Sequence, residues 1–390
     1  MSLSSLPKAV SLELVTNAPK NLTLREKIKY IATHISVEPL IFFYILSGTM
    51  GLLTTQNTHL EKACRVNLKY NSSVCDALLN RDHSGYEDYQ ETEVQKMTAR
   101  MLTYKTAASG FFPTILVLFL GSWSDRHGKR KPVILYPIFC DIISGVELIL
   151  CSHFFMQVPI QYVALSDCFP YALGGGWTCV FLGVFSYISG ISTPEERTLR
   201  IGAVSMFQSV GLIIGNILGG TLIRPLGLTG SYIVSDVLML GAFIYGIVIL
   251  KEVKYETENT VEKRKGFLRD FFEVGHIKNT FKVCFKTENR NRKWKMIVIM
   301  VATVFITGPL QGEMAVIYLY TRKKFGWNEV DYTLYNTVQF ILQISGSVFA
   351  LSFFSKKLKL DDALLGVIAL TSKVSACILY ALAPKGTYFF

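Results

Sequence analysis

The sequence is poor in charge. Only 18% of its 390 residues are Asp, Glu, Lys or Arg, where a soluble domain typically carries about 25%. The sequence signatures of common chemistry are missing too. There is no Gly-x-x-x-x-Gly-Lys-(Ser/Thr) loop to hold ATP and no Gly-x-Gly-x-x-Gly turn, which argues against an ATP-driven pump or a dinucleotide enzyme. There is no His-Glu-x-x-His and no Cys-x-x-Cys, and the six His are scattered. No metal, cofactor or catalytic residue is therefore expected, and the chain does not read as an enzyme. Eight Cys in 390 residues are too sparse for a small disulfide scaffold. What is abundant is apolar: half the residues are hydrophobic and 13% aromatic, with mean hydropathy +0.34. This composition excludes a disordered chain or a coiled coil and indicates an all-α polytopic membrane protein.

Apolar runs of about 20 residues read as membrane-spanning helices. Nine are found, at about 37–56, 101–121, 133–154, 161–186, 201–222, 231–250, 296–320, 332–354 and 362–382. The first run is too long for a cleaved signal peptide and follows 36 polar residues. The expected organisation is a cytoplasmic N-terminus over 1–36, a six-helix bundle over 37–250, a basic cytoplasmic linker over 251–295, and a three-helix partial bundle over 296–390.

The net charge of +11 raises the question of a nucleic-acid partner. Its placement answers that. With the N-terminus in the cytoplasm, 27 of the 40 Lys and Arg fall on the inner side and 10 on the outer side, as the positive-inside rule requires. The basic charge is thus membrane topology, the partners expected are lipid and a small solute, and nucleic acid is not among them. One cluster misfits, since Thr321-Arg322-Lys323-Lys324 falls outside in this arrangement.

The first outer loop, 57–97, carries the sequon Asn71-Ser72-Ser73, a glycosylation site on the lumenal side. Cys64 and Cys75 share that loop; they either pair with each other or remain free or bonded elsewhere. Within 251–295, Phe267, Leu268, Phe271, Phe272 and Val274 alternate with charges. Two readings fit: an amphipathic helix on the anionic inner leaflet, or a flexible linker.

Between spans 2 and 3 stands Gly121-Ser-Trp-Ser-Asp125-Arg126-His-Gly128-Lys129-Arg130. A short turn between antiparallel helices needs a glycine, an acid there can meet a basic partner, and the cations can pair with acids on neighbouring inner ends. This pattern resembles the signature loop of the major facilitator superfamily. Val37-Glu38-Pro39-Leu40 opens span 1, Thr54-Thr55-Gln56 closes it, Glu196-Arg197-Thr198-Leu199-Arg200 precedes span 5, and Gly219-Gly220 ends it. Together, over about residues 37–385, their order is similar to the proton-coupled folate transporter family, which includes the thymic stromal cotransporter. The resemblance implies a twelve-helix secondary transporter of folate-like or other organic solutes, proton-coupled, working by alternating access in the plasma or endolysosomal membrane. Nine spans out of twelve imply a C-terminally truncated chain, and hence an alternative: a non-transporting isoform or regulator on the same fold. Family members thought to carry peptidoglycan fragments add muropeptides as a solute class.

The sequence departs from the folate pattern where acids are expected. Ser205 and Gly176 stand at two such positions, Cys168 replaces an arginine, and Gly326 stands near the place of the family's cysteine after span 7. An ionisable group within a span is a functional candidate by default. The proton and solute candidates are Glu313, Asp141, Glu147, Lys105 and Lys373. Glu313 follows Gly308-Pro309, where a broken helix is expected; its other reading is a hydrated acid paired with Arg322. Asp141 and Glu147, six apart, do not share a helix face. Asp167 and Asp236 lie near span ends and read as interfacial, and a lysine at a span edge tends to snorkel. Five acids against two lysines favour a neutral, zwitterionic or partly cationic solute. In span 5, Gly211, Gly215 and Gly219 line one smooth face, as close helix packing requires.

Overall fold

A computed structural model describes residues 36–80, 82, 84–192, 194–252, 270–273, 275, 290–325, 329–350, 353–354, 358 and 360–382. The N-terminal segment 1–35, most of the 251–295 linker and residues 383–390 lie outside them. The chain divides into two compact units, Met1–Glu273 and Val274–Phe390. The described elements are all helical, consistent with the major-facilitator architecture.

In the first unit, α1 runs Glu38–Lys62 and continues as a π-helical turn, Ala63–Asn67. Pro39 sits in its first turn, where the missing N–H is no loss. A short α2, Ser72–Asn80, leads to α3, Asp88–His127. Its capping box joins Glu87 and Gln90, and Gly128 ends it at φ 62°, a left-handed position that glycine adopts without strain. Then come α4, Lys131–His153, α5, Ile160–Gly174, and α6, Gly176–Ile191. The last is α7, Pro194–Ile249, interrupted by a non-helical Gly227. Six stretches are long and apolar enough to cross a membrane: Glu38–Asn67, Asp88–His127, Lys131–His153, Ile160–Ile191, Arg200–Ile223 and Pro225–Ile249. They occupy the positions of the first six predicted spans. The second unit holds α8, Arg290–Phe325, α9, Glu329–Phe349, and α10, Asp362–Leu382, whose apolar stretches are shorter.

Span 1 is the spine of the first unit, and it packs most extensively on the two arms of α7. Glycines make this possible. A methyl group at Gly211 would lie 2.8 Å from the Phe42 carbonyl oxygen, and one at Gly215 would lie 2.7 Å from that of Leu46. On the other side, Ser47 Oγ donates to the Ser235 carbonyl (2.7 Å) and Ser235 Oγ to the Ser47 carbonyl (2.8 Å). Such bonds join helices where no hydrophobic force can, because lipid is as apolar as the helix surface. The buried core gathers Leu40, Ile41, Ile134, Ile138, Val180, Val184 and Ile188.

Two sequence expectations on helix continuity are reversed. The helix expected to break at Gly308-Pro309 runs unbroken as α8 through both residues. The break lies in span 4, at Gly175 and Gly176, whose φ values are +80° and +52°. Three consecutive glycines remove the Cβ atoms that oppose left-handed backbone, whereas membrane neighbours tolerate one proline within a helix.

Candidate functional site

The first unit forms a half-open cavity of about 630 Å³, the size of a drug-like ligand site. Every one of spans 1 to 6 contributes to its wall, including Gln208 and Leu212 from span 5 and Met239 from span 6. The broken span 4 supplies Asp167 and Tyr171 before the break and Trp177 after it. The Tyr171 hydroxyl accepts the Trp177 backbone N–H (3.3 Å), which closes part of the gap in the helical ladder.

Four charged residues line this cavity: Lys105, Asp141, Asp167 and Asp236. Lys105 of span 2 forms an ion pair with Asp167 of span 4, and both side chains are largely buried. Asp141 of span 3 accepts a hydrogen bond from Tyr44 of span 1 (3.0 Å), and its other oxygen is buried without a partner among the described residues. Asp236 approaches Gly145 so closely that a side chain there would overlap its carboxylate. The cavity therefore holds one internally neutralised pair and two further carboxylates.

These positions correct several expectations. Asp167 and Asp236 are not interfacial; they face the cavity, and Asp167 is the partner of Lys105. Lys105 does not snorkel, since its ammonium turns inward to that acid. Glu147 does not line the cavity, whereas Asp141, on another face of the same helix, does. In the second unit, Glu313 pairs with Lys373 at 2.7 Å; the side chain of Arg322, its partner in the sequence reading, lies outside the described residues. Two candidates thus neutralise each other across α8 and α10.

At the end of the first unit bearing the signature loop, Arg130 Nη1 meets Asp125 at 2.7 Å and Ser124 Oγ at 3.0 Å. Arg126 donates to the Asp270 carboxylate (2.7 Å) and carbonyl (3.1 Å). Phe271 stacks on Phe119 and packs with the cluster around Leu120 and Trp123. In the described part of the linker, Phe271 and Phe272 both pack against Phe119 of span 2, and Phe272 remains exposed. Glu38 accepts the backbone N–H groups of Ser36 (2.9 Å) and Val37 (3.0 Å) and lies 3.8 Å from Arg200. This joins the two short motifs that open spans 1 and 5.

At the opposite end, Cys64 and Cys75 form a disulfide with Cα atoms 5.8 Å apart, and Asn71 is exposed between them. Lys62 is fully buried. Its ammonium donates to the carbonyls of Phe155 (2.7 Å) and Val158 (2.8 Å) and stands 4.4 Å over the Phe155 ring. Sequence reading had placed it in the outer loop, and only its spacing of seven from Thr55 hinted at an inward face.

A family model described as Major Facilitator Superfamily matches residues 40–390. The chain is 23% identical over 348 residues to the "Probable peptidoglycan muropeptide transporter SLC46" of Drosophila melanogaster, covering 87% of this chain and 66% of that protein. It is 26% identical over 332 residues to the "Lysosomal proton-coupled steroid conjugate and bile acid symporter SLC46A3" of Rattus norvegicus, covering 83% and 69%. A more distant likeness, 26% over 256 residues, is to "Multidrug resistance protein 2" of Bacillus subtilis, covering 65% and 57%. The chain spans about two thirds of the length of the first two relatives.

Proposed function

The chain belongs to the Major Facilitator Superfamily, and from that premise we propose that it carries an organic anion across a membrane together with a proton, by alternating access, in place of the neutral, zwitterionic or partly cationic solute that the ratio of acids to lysines favours. The ion pair of Lys105 and Asp167 inside the cavity is the observation that supports this. An unpaired charge within a membrane is costly, so the pair is stable as it stands. When Asp167 takes a proton, Lys105 loses its partner and becomes free for the carboxylate or sulfate of a solute. One proton and one anion then enter together, and the ammonium exchanges the Asp167 carboxylate for the anionic group of the solute. Folates, steroid conjugates, bile acids and muropeptides share an anionic group on a large organic frame. Lys105 would read the anion, and the apolar wall with Trp177 and Tyr171 would hold the frame. Asp141 and Asp236 would favour a solute that also offers hydrogen-bond donors.

The endolysosomal membrane, named for the rat relative, is the proposed site, with the N-terminus in the cytoplasm and Asn71 glycosylated in the lumen. The Asp125 loop and the Arg126–Asp270 pair form the proposed gating latch, with Lys129 at its edge. Glu313 and Lys373 are the matching pair of the second unit.

Cells expressing the chain at their surface are offered labelled folate, a steroid sulfate, taurocholate and muramyl dipeptide at acidic and neutral pH. Uptake of at least one, stronger at acidic pH, is expected. Lys105→Gln should forfeit about 1.5–3 kcal/mol of charge-assisted bonding, roughly a 10- to 150-fold rise in half-saturating concentration. Surface protein that takes up none of the four would favour the regulator reading instead.

A further inference from the structure

The pair exchange uses Lys105 and Asp167 and leaves two cavity carboxylates, Asp141 and Asp236, without a task. Both belong to one stretch of wall. The Asp236 carboxylate of span 6 fills the space that a side chain at Gly145 would occupy. Gly145 stands one turn along α4 from Asp141, and residues four apart share a helix face. Asp236 therefore lies against the face of span 3 that carries Asp141. Among the described residues, neither acid forms an ion pair, and Asp236 has no hydrogen bond. Asp141 holds Tyr44 through one oxygen (3.0 Å), and its other oxygen is buried without a partner among the described residues. Buried acceptors are nearly always bonded, and an exception calls for a cause. A solute that fills the cavity displaces water from these acids. Apolar surface laid on a carboxylate leaves a desolvated charge unpaired, which is costly. A hydroxyl or N–H laid there restores the bond, and a charged acceptor makes it a strong one. Span 4 makes the opposite demand, since Tyr171 and Trp177 present aromatic surface to the same cavity.

Building on the pair exchange above, we propose that Asp236, beside Asp141, is the specificity-determining residue of the cavity and selects organic anions with a two-sided frame, apolar on one face and bearing hydroxyl or N–H donors on another. Lys105 takes the anionic group, the span 4 aromatics take the apolar face, and Asp236 accepts from the donors. A frame of equal charge that lacks those donors is rejected, because it strands the carboxylate against apolar surface.

Taurocholate and taurolithocholate test this, since they share a sulfonate and a steroid frame while taurocholate carries further hydroxyls. Apolar burial alone ranks taurolithocholate first. Each is labelled and bound at equilibrium to the full chain in lipid nanodiscs, with binding to empty discs subtracted. Taurocholate should bind at least about tenfold tighter. Asp236→Ala should weaken taurocholate and bring the two within about twofold of each other. Asp236→Asn, which retains an acceptor oxygen, should keep part of the preference, and Gly145→Ala, whose methyl displaces the carboxylate, should reduce it. Lys105→Gln should weaken both bile acids alike, because it removes the contact to their shared sulfonate. Taurolithocholate bound as tightly as taurocholate by the wild-type chain overturns the selection, and an equal loss of both in Lys105→Gln then leaves the pair exchange standing. A preference that survives Asp236→Ala overturns the role of Asp236. Binding of neither bile acid also overturns the selection, whereas the pair exchange falls only if acid-stimulated uptake of all four solutes is absent. If Asp236→Ala fails to fold, Asp236→Asn and Gly145→Ala carry the comparison; failure of all three makes the carboxylate structural and overturns the proposal.

Discussion

A lysine with no exposed surface sits at the end of span 1, and its energetics decide a question of sign. Burying a charge is unfavourable, but Lys62 meets two carbonyls just past the C-terminal end of α4, where the helix dipole favours a cation. Lys62→Met removes the charge and leaves both carbonyls unpaired, at about 1–3 kcal/mol each. The orphaned acceptors outweigh the relief, so the variant should melt several degrees below wild type in a detergent thermal-shift assay, while Lys69→Met, partly exposed just beyond the π-helical turn, should not. The Lys105–Asp167 pair behaves in the same way. Asp167→Asn alone strands a buried ammonium, costing about 3–5 kcal/mol, whereas Lys105→Met with Asp167→Leu removes both charges and should regain stability without transport. Sequence inspection could mark Lys105 as an intramembrane cation. It could not supply the partner, because hydropathy ranks residues by depth along their own helix and carries no information on rotation toward a neighbour.

Helix contacts show the same division at the next scale. The repeat of Gly211, Gly215 and Gly219 was legible as a packing face, since a spacing of four is a local property. Its partner, span 1, was not. The close approach of 2.7 Å between a methyl at Gly215 and the Leu46 carbonyl makes a sharp prediction. Gly215→Leu should push spans 1 and 5 apart and reduce folded surface protein several-fold, with an overpacking cost of about 1–3 kcal/mol. Gly220→Leu, where a Cβ would meet nothing within 4 Å, should be tolerated; fluorescence-detected size exclusion of both variants checks this. The misplaced helix break is instructive for a related reason. Gly308-Pro309 in α8 and Gly174-Gly175-Gly176 in span 4 look equally disruptive as text. A single proline loses one hydrogen bond, which a membrane helix absorbs, whereas two residues with positive φ cannot remain helical. Gly175→Ala should therefore cost about 1–2 kcal/mol from left-handed strain and displace Asp167 and Trp177 relative to each other, which would appear as weakened solute binding.

Across the first unit as a whole, polar bonds are concentrated at its two ends and around the cavity. Ser47 with Ser235, Ser144 with Ser166 and Ser152 with Thr229 tie helices along the interior. The signature-loop end is fastened by Arg130–Asp125, Arg126–Asp270 and Glu38–Arg200. If the Arg126–Asp270 bond latches the linker to the loop, Arg126→Asp should lower thermal stability, and adding Asp270→Arg should recover much of it. A double-mutant cycle giving a coupling of about 0.5–3 kcal/mol is the expected result; additive losses would reduce the contact to coincidence. Large apolar residues such as Phe111, Tyr162, Phe169 and Val248 stand exposed on the first unit, in a number that a water-facing surface does not carry.

Length, hydropathy and the distribution of Lys and Arg were enough to determine the protein's class, its first six spans and the end of the bundle that carries the basic loop. These are one-dimensional properties: a stretch is long and apolar, or basic, whatever surrounds it. The tertiary structure alone decided which acid meets which cation, where the membrane helix breaks, and that Lys62 lies inside. Those outcomes depend on how each helix turns about its axis and on what residues distant in the chain bring to it, and in a low-dielectric interior that pairing sets the chemistry a charge can perform.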